Sequence, residues 1–174
     1  MNMRILFLGD VVGISGCSKI MNNLLDQIKK NQIDFVIVNG ENAAESGVGL
    51  TKEICEDFFK CGVNVITTGN HVWDQKDIMN YIDKENRLLR PKNLFEPAPG
   101  KGFEIYITKN DLKIGVLNLM GNVFMKKCDD VFEASKIFME NYELKKDYDF
   151  LIIDFHGEIT SEKNAIGYYF DGKA

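Results

Sequence analysis

Short apolar runs alternate with helical segments through the first half of this chain, and that alternation limits the fold more than any other feature. Residues 3–8 (MRILFL) are apolar apart from Arg4, residues 33–38 (IDFVIV) form a second run, and residues 63–67 (VNVIT) a third. Each has the length of a strand, and the first reads as a strand buried on both faces. Between the first two, residues 15–31 place Ile20, Leu24 and Ile28 four apart, with Lys29 and Lys30 in the last turn. That is an amphipathic helix whose basic end suits its dipole. Residues 51–61 predict a second helix, capped by Thr51, packed through Ile54, Phe58 and Phe59, and stopped by Gly62. Residues 74–82 predict a short third helix opened by Asp74. A β-α-β-α-β-α order predicts a parallel sheet with right-handed crossovers.

The second half has a different rhythm. Residues 89–102 hold all three prolines and predict a long ordered loop. Residues 103–108 and 112–119 predict two strands joined by Lys109-Asn110-Asp111, a hairpin, so the sheets are mixed. Residues 131–145 predict a helix, residues 150–155 (FLIIDF) a buried strand, and residues 161–174 a weakly helical tail. No repeat, low-complexity tract or linker interrupts the chain, and residues 1–174 read as a single α/β domain.

Composition removes several classes of function. Lys plus Arg is 21 and Asp plus Glu is 26, a net charge of -5, so a large basic face for nucleic acid is not expected. No apolar run approaches the ~20 residues of a membrane helix, and residues 1–10 read as a strand, not a signal peptide. Cys17, Cys55, Cys61 and Cys128 form no C-x-x-C pair, which predicts reduced thiols in a cytoplasmic protein.

The polar residues gather at strand ends. The first strand runs into Gly9-Asp10, the second into Asn39-Gly40-Glu41-Asn42, the third towards Gly69-Asn70-His71, and the last into Asp154-Phe155-His156. Ligands of open α/β sheets bind beyond the carboxyl ends of the strands. With these strands as parallel neighbours, Asp10, Glu41, Asn42, Asn70 and His156 share one crevice. Singly, each has a plainer role: Asp10 as a helix cap, Glu41 and Asn42 as turn residues, Asn70 with Gly69 in a left-handed turn, His71 as a satisfied histidine. Together, carboxylate, amide oxygen and imidazole suit divalent first-row metals. Two such ions about 3.5–4 Å apart form a phosphoester-cleaving clamp.

Competing motifs are weaker. Gly9, Gly13 and Gly16 have the spacing G-x-x-x-G-x-x-G instead of the dinucleotide G-x-G-x-x-G, and Asp10 would face the pyrophosphate with negative charge. Cys17 lies near a helix start, where a thiolate is favoured, but no histidine stands near it in sequence. Lys126 and Lys127 read as a solvated loop.

The strings GDVVG from Gly9, NGENAA from Asn39, GNHVWD from Gly69, LLRPKN from Leu88 and DFHGEITSEK from Asp154 resemble, in order and along the whole chain, the bacterial calcineurin-like metallophosphoesterases. The branch is that of the cyclic-nucleotide phosphodiesterases. The resemblance implies a layered α/β/β/α metallophosphoesterase sandwich with two transition metals, iron or manganese. It implies Asp10 and Asn42 as ligands of the first metal, Glu41 as the bridge, Asn70 and His156 as ligands of the second, and His71 as proton donor to the leaving alkoxide. The implied reaction is hydrolysis of small phosphoesters such as 2′,3′-cyclic nucleotides, and of cyclic AMP, by metal-activated hydroxide in a homo-oligomer.

In the family, the segment resembling residues 169–173 is followed by another strand and a Gly-Thr-His-Thr-His type motif, whose histidines give one ligand to each metal. This chain has only two histidines, His71 and His156. The expectation is therefore a fragment of a longer enzyme with the C-terminal part of the sandwich missing. The alternatives are a naturally shortened protein that completes its site with waters or a partner chain, and a catalytically silent module that binds nucleotide or protein.

Overall fold

The computed structural model describes residues 3–95 and 97–174. Two sheets stack face to face. The first contains β1 (Ile5–Leu8), β2 (Phe35–Asn39), β3 (Val65–Thr67) and β4 (Leu88–Leu89), all parallel and in that spatial order. The second contains β5 (Phe103–Ile107), β6 (Lys113–Met120) and β7 (Phe150–His156); β5 and β6 are the antiparallel hairpin, and β7 lies parallel to β6. This is a mixed α/β fold.

Residue alternation along the strands builds the layers. In β2, Val36 and Val38 pack with Ile20 and Leu24 of α1 (Gly13–Asn31) and Phe58 of α2 (Lys52–Lys60), while Phe35 and Ile37 turn the other way. There they meet Ile114 and Val116 of β6, which closes the layer between the sheets. On the far side of β6, Leu117 and Leu119 pack with Val131 and Phe138 of α4 (Val131–Asn141) and with Ile166 and Phe170 of α5 (Thr160–Phe170). A period of two thus sends each strand into two cores.

Local signals mostly hold. Thr51 Oγ1 accepts from Ile54 N at 3.2 Å at the start of α2, and Gly62 beyond its end has φ +97°. The differences have physical causes. β1 and β7 are edge strands of their sheets, so both are only partly covered, and Phe7 is 41% exposed. Apolar composition alone cannot distinguish an edge strand from a central one. Asp74 opens no helix: α3 is confined to Ile78–Tyr81, and the Asp74 carboxylate is engaged elsewhere. The hairpin, α4 and the helical tail occur with shifted ends, and the predicted loop over 89–102 contributes the short strand β4 at its start.

A polar joint fixes one sheet on the other. Asn118 of β6, fully buried, donates from Nδ2 to the carbonyls of Thr68 at 2.8 Å and Leu89 at 3.2 Å. Thr68 Oγ1 also donates to Leu89 O at 2.9 Å. The Thr68 carbonyl is therefore the acceptor most exposed to loss of the amide. Asn118→Ala is expected to cost about 1–3 kcal/mol of unfolding free energy, the range for stranding a buried polar partner, measured by urea unfolding.

Candidate functional site

The strand ends of both sheets meet at one rim, although β7 belongs to the second sheet and is not a neighbour of β1, β2 or β3. The crevice therefore lies between sheets, not along one sheet as the sequence reading has it. Asn39 at the end of β2 crosses this junction and donates from Nδ2 to Asp154 Oδ2 of β7 at 2.8 Å. Burial pushes the Asp154 carboxyl above its usual range, against the Asn39 amide that favours the charged form.

Glu41 lies at the centre and is fully buried. Its Oε1 accepts from the backbone N–H of His71 at 3.2 Å. Its Oε2 is 2.9 Å from His156 Nδ1, an ion-pair contact outside hydrogen-bond geometry, so Oε2 has no hydrogen-bond partner. Burial works against the charged imidazole of His156, but Glu41 outweighs it, with help from Asp154 and Asp10, and the His156 pKa is raised. On its other edge, His156 Nε2 is 2.9 Å from Asn70 Oδ1. Asp10 Oδ2 accepts from Asn42 Nδ2 at 2.9 Å. Asp10 and His156 line the same cleft of about 330 Å³.

All five predicted ligands and His71 are thus brought together, in two contacting groups joined through the adjacent Glu41 and Asn42. The plainer roles fail for two of them. α1 starts at Gly13 with no side-chain cap, so Asp10 is not a helix cap. Neither Gly69 nor Asn70 has positive φ, so there is no left-handed turn. Cys17 is buried, donates to Ala43 O at 3.2 Å, and burial raises its pKa, which removes the thiolate reading. All four cysteines are free thiols.

The donor set fits a transition metal in its chemistry: a buried carboxylate oxygen that lacks a hydrogen bond faces the His156 imidazole, the Asn70 amide oxygen meets the other edge of that ring, and the Asp10 carboxylate lines the same cleft as His156. Among the described residues, no three His, Cys, Asp or Glu side chains close round an ion by themselves. The amide oxygens of Asn42 and Asn70 are needed to complete a set. Gly69 keeps the centre open: a Cβ there would lie 1.8 Å from Glu41 Oε2 and 2.5 Å from His156 Cδ2.

Two features escape the sequence reading. Asp74 Oδ2 contacts His71 Nδ1 at 2.5 Å, and Lys126 Nζ lies 2.9 Å from Asn70 O and 3.3 Å from Asp74 Oδ1. Lys126 is therefore not merely part of a solvated loop. The position of Asp74 three residues after His71 is a local signal; the 56-residue separation of Asn70 and Lys126 gives none. The larger groove of about 600 Å³ between β1 and α1 is lined by apolar Leu6, Leu8, Ile20 and Leu24 together with Lys19, Asn23, Gln27 and Asn31, and contains none of the site residues.

A model of the family described as YmdB-like protein matches residues 6–174. The 2′,3′-cyclic-nucleotide 2′-phosphodiesterase of Bacillus subtilis is 43% identical over 173 residues, 99% of this chain and 64% of that protein. A crystal structure described as a novel phosphatase of Mycoplasma pneumoniae has TM-score 0.87 and 39% identity, covering 99% of this chain and 62% of that one. A hypothetical protein of Thermus thermophilus has TM-score 0.88 and 35% identity, with 99% and 65% coverage. The chain spans less than two thirds of the length of each of these relatives.

Gly69→Ala is expected to lower unfolding stability and displace Glu41 or His156, since the obstructing atoms belong to a buried carboxylate and a packed ring. Gly167→Ala, in α5 with nothing within 4 Å of the added Cβ, is the contrast. It should be stabilising by roughly 0.5–1 kcal/mol through helix propensity. Thermal melts of both variants check the difference.

Proposed function

Since this chain belongs to the YmdB-like family, we propose that it hydrolyses small phosphoesters, 2′,3′-cyclic nucleotides first and cyclic AMP second. The carrying observation is the buried Glu41 carboxylate with its unbonded oxygen, in contact with His156 and the His71 N–H, with Asn70 on the other edge of His156 and the Asp10–Asn42 pair joining through the shared cleft. The name of the Bacillus subtilis relative supports a cyclic-nucleotide substrate, and the description of the Mycoplasma pneumoniae structure supports phosphate-ester chemistry. These relatives favour hydrolysis over a silent binding module. The stacked sheets with helices on both outer faces support the α/β/β/α metallophosphoesterase sandwich. The four free thiols support a reducing, cytoplasmic setting.

Asp10 and Asn42 would hold a first metal, Asn70 and His156 a second, and Glu41 would serve both. Iron or manganese suits this mixture of donors. When bound, such a pair acts as a Lewis acid that acidifies water and neutralises charge on the phosphoryl oxygens. The chain's own side chains supply the rest. Gly69 leaves the space in front of Glu41 open. His71, fixed by its backbone N–H on Glu41, donates a proton to the departing alkoxide oxygen. The reaction needs no covalent intermediate on the protein.

The test is metal analysis of the purified chain together with hydrolysis of 2′,3′-cyclic AMP after supply of iron or manganese. Bound metal, turnover and a chelator-induced fall in thermal midpoint are expected. A folded chain with neither metal uptake nor hydrolysis overturns the reading. His71→Ala should reduce kcat by about 10²-fold or more while metal content stays near that of the parent chain. Parallel loss of metal and turnover would contradict the donor role.

A further inference from the structure

His71 needs more than a place beside Glu41 to give up a proton from a defined nitrogen. An imidazole has two ring nitrogens, and the partner of one determines which is left to react. Here Nδ1 is engaged by the Asp74 carboxylate. With its proton held on Nδ1 by that contact, the ring reacts through Nε2. A carboxylate on Nδ1 also fixes the plane of the ring.

Asp74 is itself held from a distant part of the chain. Lys126 spans from the segment after β6 to Asp74 Oδ1 and to the carbonyl of Asn70, the residue before His71. An exposed ion pair contributes little stability, and at 55% exposure for the Lys126 side chain stability is not the argument. What matters is how firmly the segment beneath Lys126 is anchored. Buried Glu162 of α5 accepts the N–H of Asn122 at 2.8 Å and of Val123 at 3.5 Å. Asn122 in turn donates to Asp129 O at 3.0 Å and accepts from Val131 N at 3.0 Å. Gly121 has no room for a side chain, since a Cβ would lie 2.2 Å from Glu162 Oε2. The segment is tied at both ends, and Lys126 projects from it onto Asp74.

We propose that Asp74 and Lys126 are positioning residues for His71: Asp74 selects the ring nitrogen that reacts, and Lys126 fixes Asp74. This rests on the phosphodiesterase reading for its catalytic consequence, though not for the pairing itself. The Asp74 carboxyl is held below its usual range, chiefly by the His71 contact and further by Lys126, which agrees with a carboxylate serving as acceptor.

Two measurements test it. The first needs no activity. Long-range ¹H–¹⁵N spectra of the metal-free chain resolve the rings of its two histidines, with His71→Ala for assignment. The neutral His71 ring is expected as the Nδ1–H form in the parent chain, and as mainly the Nε2–H form in Asp74→Ala. The same ring form in both chains overturns the pairing. The second separates positioning from a general loss of structure. The ribose alkoxide of 2′,3′-cyclic AMP needs a proton as it leaves, whereas p-nitrophenolate does not. Asp74→Ala should therefore lose about tenfold or more in kcat on the cyclic nucleotide relative to its loss on bis(p-nitrophenyl) phosphate. Lys126→Met should show a smaller bias of the same sign, and Asp74→Asn, which keeps an acceptor oxygen, should recover part of it. Equal losses on both esters overturn the positioning role. A parent chain that hydrolyses neither ester counts against the phosphodiesterase reading alone, and the ring spectra still decide the pairing.

Discussion

The fully buried carboxylate of Glu41 is the constraint on which the rest of the site depends. Taking a carboxylate out of water costs several kcal/mol unless charge and hydrogen bonds replace the lost hydration. Here the compensation is only partial. One oxygen has the His71 N–H and the other has the nearby His156 ring without a hydrogen bond. Such an arrangement favours a positive partner, and the raised pKa of His156 is the same preference expressed by a proton. A cation and a proton compete for this region, so occupancy by one weakens the case for the other.

That constraint explains features of the fold which packing alone would not require. Gly69 is forced because even one carbon would overlap the Glu41 carboxylate. The two sheets must also hold a definite offset, because Glu41 follows β2 of the first and His156 closes β7 of the second. An apolar layer of Ile37, Val65, Ile114 and Val116 supplies attraction between sheets but little directional specificity. The amides of Asn118 and Asn39 supply direction, by bonding across the junction to Thr68, Leu89 and Asp154. The site is therefore registered by buried amides and stabilised by the apolar layers.

Much of this is legible in local sequence. The first parallel sheet follows from apolar runs separated by helical periods, the start of α2 from Thr51, and the hairpin from the two runs around residues 109–111. The strand-end polar residues identify the members of the site, because strand direction and residue type are both local properties. Partition of the strands is not legible. Nothing within FLIIDF says that β7 pairs with β6 and not with β1, and its apolar composition suggests more burial than an edge strand receives. Asp74 reads as a cap because an Asp before a helical pattern is a good one; a histidine three residues earlier offers a better partner. Glu162 and Lys126 act across 40 and 56 residues, separations that carry no period to read.

Division of labour between the two halves of the chain follows from these separations. Asp10, Glu41, Asn42, Asn70 and His71 come from one parallel sheet and its loops, and share the rigidity of that sheet. His156, and the Lys126 brace with its Glu162 anchor, come from the second sheet and its helices. Any slip of one sheet over the other would shift His156 against Glu41 and Lys126 against Asp74 at once. The polar joint between sheets thus bears on both the candidate ligands and the candidate proton donor. A substitution in that joint, far from the cleft, should act on the geometry of the site as well as on stability, because one rigid-body coordinate controls both.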